Sequence, residues 1–220
     1  ALVAARRAAW VFTSATLSVG EDFSHFASRL GLAETPTLRI ASPFDYESQA
    51  LLYLPEGMPD PTRPEYVDAV IDASLPLLDA SGGGAFLLFT SHRALQRGAA
   101  RLRERWEWAT DLPVLVQGES PRERLLQQFR EHGSAVLLGT ASFWEGVDVK
   151  GQALRLVVIE KLPFASPEDP LVKSRIDHLR RHGGNPFRDY QLPEAVLALK
   201  QGFGRLIRSE DDRGLIAICD

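Results

Sequence analysis

Short apolar runs alternate along the chain with longer stretches in which apolar residues recur every three or four positions. That alternation predicts buried parallel strands joined by helical crossovers. Strands are predicted at 10–13, 49–54, 85–90, 114–116, 135–138, 154–160 and 215–218. The run from Ala85 to Thr90 is apolar up to its last residue, the pattern of a strand covered on both faces. Helices are predicted at 22–30, 65–78, 92–106, 121–131, 169–181 and 192–207. The clearest is 92–106, where Leu95, Leu102 and Trp106 share one face and Arg93, Arg97, Arg101 and Arg105 step by four along the opposite side. Gly183-Gly184 stops the fifth helix, and Pro193 sits in the first turn of the sixth. The fold class is α/β: a three-layer domain around a mainly parallel sheet, behind a small leading piece. The expected division is 1–40 and 41–220.

Composition narrows the class without changing it. Of 220 residues, 45% are hydrophobic and 25% charged, enough to bury a core and too apolar for a disordered chain. No eighteen-residue apolar window occurs, so no membrane-spanning helix is predicted. The single cysteine, Cys219, removes a disulfide framework and a multi-thiolate metal site, and suits a reducing cytosol. Arg6 and Arg7 precede no long apolar core, so the start does not read as a secretory signal, and the chain reads as a piece of something longer. The net charge of −4 excludes a polycation. Only Lys150, Lys161, Lys173 and Lys200 are lysines, so the remaining cations are planar arginine forks, which suit phosphate.

Ligands of open parallel sheets gather at the carboxyl ends of strands. Small hydroxyls follow successive predicted strands: Ser14 and Thr16, then Thr90-Ser91-His92, then Gln117-Gly118-Glu119-Ser120, then Gly139-Thr140-Ala141-Ser142 leading to Trp144, Glu145 and Asp148. Each alone reads as a cap or a turn. Together, with glycine amides, they offer what a phosphate backbone needs. The run Gln201-Gly202-Phe203-Gly204-Arg205-Leu206-Ile207-Arg208 closes the last predicted helix. On a continuous helix Arg205 and Arg208 share nearly one face, with Gln201 one turn upstream of Arg205. A bare basic C-terminus complementing the helix dipole is the plain alternative. Gly202 and Gly204 weaken the helix there and permit another surface to approach closely. Paired arginines so placed suit the charge on a transferring γ-phosphoryl group.

The ordered set Thr13–Leu17, Ser42-Pro43-Phe44, Phe89–His92, Gly139–Asp148 and Gln201–Arg208 resembles motifs III to VI of superfamily 2 helicases in their XPD/DinG form. Ser142–Asp148 and Lys161-Leu162-Pro163-Phe164 with Asp169-Pro170 resemble the bacterial DinG-like branch, its YoaA-type members in particular. The resemblance implies a RecA-like, P-loop NTPase-type second motor domain of an ATP-dependent helicase in DNA repair or replication. Such an enzyme moves 5′ to 3′ on single-stranded DNA, uses ATP and Mg²⁺, and carries a [4Fe–4S] cluster in its other part. Carried over by position, Ser14, Thr16, Glu145, Asp148 and Gly204 would couple hydrolysis to movement. Thr90, Ser91, His92, Arg93, Thr140, Ser142 and Trp144 would meet the DNA strand. Gln201, Arg205 and Arg208 would face the nucleotide, one arginine acting as the finger. The resemblance also implies a bacterial cytoplasmic location and, as partner, the χ subunit of the replicative DNA polymerase.

The chain departs from the whole family pattern. It has no Gly-x-x-x-x-Gly-Lys-Ser/Thr loop, no Asp-Glu-x-His box for Mg²⁺ and no cysteine quartet, so it is expected to be inactive alone. A reading from another class stays open, a non-catalytic α/β module whose arginine helix and basic 169–188 stretch dock a protein. A dinucleotide enzyme is disfavoured because no Gly-x-Gly-x-x-Gly follows a predicted strand. His178 and His182 are spaced for one helix face but have no evident third ligand, so no metal site is expected.

Overall fold

In the computed structural model the described residues are 9–14, 16–32, 35–106, 112–140, 143, 153–204 and 206–220. Among them, six strands form one sheet: β1 (Ala50–Tyr53), β2 (Ala85–Phe89), β3 (Val114–Val116), β4 (Val136–Thr140), β5 (Leu156–Ile159) and β6 (Gly214–Ile218). Their order is β1-β6-β5-β2-β4-β3, and every neighbouring pair is parallel. The helices are α1 (Ser24–Leu30), α2 (Tyr46–Gln49), α3 (Tyr66–Ser81), α4 (His92–Arg105), α5 (Arg122–His132), α6 (Pro170–Arg181) and α7 (Leu192–Phe203), the last entered through a π-helical turn, Phe187–Gln191. No described helix is long and apolar enough to cross a membrane.

The chain divides into two compact units, 42–163 with 201–220 and 1–41 with 164–200. They interleave along the sequence rather than meeting at a single cut. The first holds the whole sheet. Alternate residues of its central strands point to opposite faces, so each face has its own core. Leu87 and Phe89 of β2, Leu138 of β4 and Val158 of β5 pack with Tyr66, Val70 and Ile71 of α3 and Leu95 and Leu102 of α4. On the other face Phe86 meets Phe129 of α5, ring centroids 4.7 Å apart. Each such side chain contributes about 1.5–3 kcal/mol on burial, which is why β2, β4 and β5 carry no polar residue before their ends.

Two details set how α4 lies on the sheet. A Cβ at Gly98 would sit 2.5 Å from the Phe89 ring, so only glycine lets the helix come this close. Across its outer side, Arg97 makes a two-pronged contact with Asp68 of α3, while Arg101 and Arg105 both reach Asp72. Arg103 grips Glu119 in the same forked way, at 2.9 and 2.8 Å. These bonds hold the Asp68 and Glu119 carboxyls below their usual range. At the amino edge of the sheet, Arg155 donates to the carbonyls of Ser81, Gly82 and Gly133 and ties the turns before β2 and β4 together.

In the second unit, Glu194 of α7 accepts from both His25 and Arg29 of α1. Lys200 donates to the Ser18 carbonyl at 2.9 Å. Phe164 packs on Phe187, and the Arg175 guanidinium lies over the Tyr190 ring.

The structure differs from the sequence reading in three places. Residues 10–13 form no strand; Val11 is 83% exposed, and β-propensity without a neighbouring strand builds no ladder. Gln49 ends α2 instead of opening β1, and its buried amide supports a distant loop. The helix predicted to Ile207 stops at Phe203, because Leu206 and Ile207 turn into the core, Leu206 lying against Gly214.

Gly98→Val forces the helix off Phe89. Overpacking of this kind costs about 1–3 kcal/mol. Urea unfolding followed by circular dichroism reads the loss directly.

Candidate functional site

The chain leaves β2 toward β3 and β4 but leaves β5 toward β6. The switch point, the crevice position where ligands of open α/β sheets sit, therefore lies between the carboxyl ends of β2 and β5. Thr90 follows β2 and Glu160 follows β5, and they meet there. Glu160 is 1% exposed, and its Oε2 accepts from the Thr90 amide and from the Thr90 hydroxyl, both at 2.9 Å. One strand further on, Gln117 Oε1 accepts the amide of Thr140 at 2.7 Å and its hydroxyl at 3.1 Å. The same device thus recurs at two neighbouring tips, a single side-chain oxygen collecting both donors of a threonine.

Behind Glu160, the Tyr66 hydroxyl lies 2.5 Å from the Glu160 carbonyl and 2.9 Å from that of Cys219, and so bridges the ends of β5 and β6. Lys161 donates to the Pro61 carbonyl, stands 3.8 Å from Glu160 Oε1 and caps the Tyr66 ring at 5.0 Å. Burial, with the Glu160 charge nearby, pushes the Cys219 thiol up to about 12, and burial raises the Tyr66 phenol as well.

Beyond Thr90, Ser91 caps α4 by accepting the Ala94 amide at 3.1 Å. The first turn of α4 carries no acidic residue, and His92 and Arg93 stand exposed on it. Of the arginine stripe, Arg97, Arg101 and Arg105 are committed to α3. Among the described residues Arg93 alone of the four has no ion-pair or hydrogen-bond partner.

The arginine-bearing segment lies elsewhere. Gln201 falls in the last turn of α7 and Gly204 in the turn after it, both exposed. Arg208 is outside the helix, so its presentation does not come from helical spacing with Arg205. Asp212, 7% exposed, accepts the amides of Arg208 and Ser209 at 2.8 and 2.9 Å. The Gln49 amide donates to the carbonyls of Ser209, Glu210 and Asp212. This loop feeds the first residue of β6, so it occupies the amino edge of the sheet. Thr90 and Thr140 lie at the carboxyl edge, about 16 Å away at ~3.3 Å per strand residue. The arginine loop and the strand tips are not one cluster.

Ser14 and Thr16 belong to the other unit, where the Ser14 hydroxyl accepts the Thr16 amide at 3.2 Å. Ser142, Trp144, Glu145, Asp148 and Arg205 lie outside the described residues. Sequence reasoning placed Gln117 at a strand end without giving it a role and missed Glu160, Asp212 and Gln49; a carboxylate closing a wholly apolar strand was the one readable signal. Among the described residues no cluster of His, Cys, Asp and Glu could hold a metal ion. The lone buried thiol does not fit a four-thiolate iron–sulfur cluster.

Residues 74–220 match the helicase C-terminal domain family, and the chain belongs to that family, in its XPD/DinG form. It is 49% identical over 219 residues to the ATP-dependent DNA helicase YoaA of Escherichia coli, covering 100% of this chain and 34% of that protein. It is 38% identical over 218 residues to the ATP-dependent helicase DinG of Mycobacterium tuberculosis, 97% of this chain and 32% of the relative. The chain thus spans about a third of the curated relatives it matches. In structure it resembles S. tokodaii Xpd4, with TM-score 0.57 and 16% identity over 78% of this chain and 34% of that one. That likeness confirms the RecA-like fold.

The raised Cys219 thiol makes stability fall at alkaline pH. The folded state keeps this proton up to about 12, against an ordinary 9.0, so its contribution is complete below pH 9 and is lost as pH rises toward 12. Tyr66 adds a loss of the same sign from pH 10. Cys219→Ala should flatten the decline between pH 9 and 10, measured by urea midpoints across that range.

Proposed function

We propose that this chain is the second motor domain, with the end of the first, of an ATP-dependent DNA helicase moving 5′ to 3′ in repair or replication. The observation that carries the reading is the carboxyl-edge switch point, where the capped, acid-free N-terminus of α4 carries the exposed and unpaired Arg93. Exposed amides at a helix N-terminus and a free guanidinium are groups that hold a phosphate backbone without reading its sequence. Family membership supplies the motor context.

In this reading Ser91, His92 and Arg93 hold the single strand beside the tips of β2 and β4, with Ser142 and Trp144 completing the track. Arg208 and Arg205, with Gln201, act from the opposite edge of the sheet on the γ-phosphate of ATP. Ser14, Thr16, Gly204, Glu145 and Asp148 link the two events. The separation of the two edges supports this division, since an arginine at an amino edge needs a ligand brought by another domain. ATP, Mg²⁺ and a [4Fe–4S] cluster would be held by the remaining two thirds of the protein, because this chain has neither the phosphate loop nor the thiolates. Such an enzyme would work in the bacterial cytoplasm, with the polymerase χ subunit as a partner. The alternative docking module is less well supported: in the basic stretch Arg175 stacks on Tyr190, Arg188 pairs with Asp189, and Arg181 bonds the Asp177 carbonyl.

Two measurements test this. Single-stranded oligonucleotides of mixed sequence should bind with affinity that falls steeply with salt, log K changing by roughly 0.7 per phosphate contact per decade. Binding indifferent to salt, or demanding one sequence, refutes backbone recognition. In the full-length protein, Arg208→Ala should lower DNA-stimulated kcat by about 10³–10⁵ with little change in melting temperature. An unchanged kcat removes Arg208 from the nucleotide site.

A further inference from the structure

Thr90 cannot serve the crevice as its residue type suggests. A phosphate oxygen only accepts, so a threonine that binds one must donate its hydroxyl proton. Here that proton is spent inward. Glu160 Oε2 already receives the Thr90 amide, which identifies it as an acceptor, and the hydroxyl donates to the same atom. The outward side of the Thr90 hydroxyl therefore presents lone pairs, which phosphate repels. Glu160 is almost wholly buried, and its second oxygen, Oε1, has no hydrogen bond; the Lys161 ammonium at 3.8 Å is its nearest cation. Burying a carboxylate this incompletely paired is costly, and a neutral residue would close an apolar strand more cheaply. What Glu160 gains is a rigid turn between β2 and α4. Thr90, Ser91 and the first turn of α4 are consecutive, so the bonds on Thr90 set where Arg93 and the helix amides point.

We infer that Glu160 is a positioning residue for strand binding: one buried oxygen locks both donors of Thr90 and thereby aims Arg93 and the N-terminus of α4, while Thr90 itself gives phosphate no hydrogen bond. The inference rests on the reading of the crevice as a DNA contact. The neighbouring tip supplies an internal comparison, because Gln117 locks Thr140 through one oxygen with no charge at all. The acceptor atom, not the charge, does the holding.

The test measures single-strand affinity and melting temperature in the full-length protein. Arg93→Ala should weaken binding about three- to tenfold, the worth of one ordinary solvent-exposed hydrogen bond. Glu160→Leu, which has no acceptor, should weaken it by a similar factor, and combining it with Arg93→Ala should add little, because both act through one contact. Glu160→Gln should restore affinity to within about twofold, as the Gln117 arrangement implies. Thr90→Val keeps the amide bond to Glu160 and loses only the hydroxyl one. It should leave affinity within about twofold while lowering melting temperature, the amide bond alone holding the turn and the hydroxyl giving phosphate nothing. A full multiplicative loss in the double variant, an affinity collapse in Glu160→Gln, or a tenfold loss in Thr90→Val overturns the inference. If Glu160→Leu does not fold, Glu160→Gln and Thr90→Val still decide it. A wild-type protein that binds no single strand refutes the crevice reading itself, a result distinct from any of these.

Discussion

A parallel sheet covered on both faces leaves the polar groups of its own strands only two places to go. β2, β4 and β5 are buried along their whole length, so hydrogen-bonding side chains within the sheet layer gather where strands begin or end, while the helices carry theirs on their outer faces. The molecule obeys this closely. Thr90, Glu160, Thr140 and Gln117 collect at the carboxyl edge; Arg155, Gln49 and Asp212 collect at the amino edge. At both edges backbone amides and carbonyls running out of the ladder need partners, since an unmade bond there costs about 1–3 kcal/mol. The side chains that supply those partners are the ones that shape the two candidate sites. Structure and function draw on the same few atoms.

How far the sequence revealed this depends on the range of the interaction. Strands β2 to β6 were readable because burial on two faces demands unbroken apolar runs, a purely local signature. The helix carrying Arg97 and Arg101 was readable for the same reason. Its outer stripe was not: four arginines at equal spacing look equivalent, and only the position of Asp68 and Asp72 on α3 separates the three that are tied from Arg93. The end of α7 was misjudged because helix propensity from Leu192 onward says nothing of Gly214, eight residues past Leu206, which offers the hollow that Leu206 fills. Glu160 escaped notice because its partner is Thr90, seventy positions away.

The candidate site divided the same way. Thr90 and Thr140 were found at strand tips as expected, yet their geometry reverses the chemistry that hydroxyls suggest, each donating into the protein. Net charge was equally uninformative. An acidic molecule overall can present a cation wherever one arginine is left without a carboxylate, and a single such position weighs more in a crevice than the sum over the surface.

The first and last strands of the sheet are neighbours, β1 pairing with β6 along the whole of β1. Gln49, just before β1, grips the carbonyls of the loop just before β6, so Arg208 is held by a residue more than 150 positions upstream. A nascent chain emerging from the ribosome can assemble β2 to β5 with their helices, but it cannot display Arg208 until its last strand has docked. The arginine loop is therefore a record of completion. A chain shortened at either end of this sheet would retain much of its core and lose the arrangement that holds the arginine loop, so that a half-made molecule presents no half-made loop.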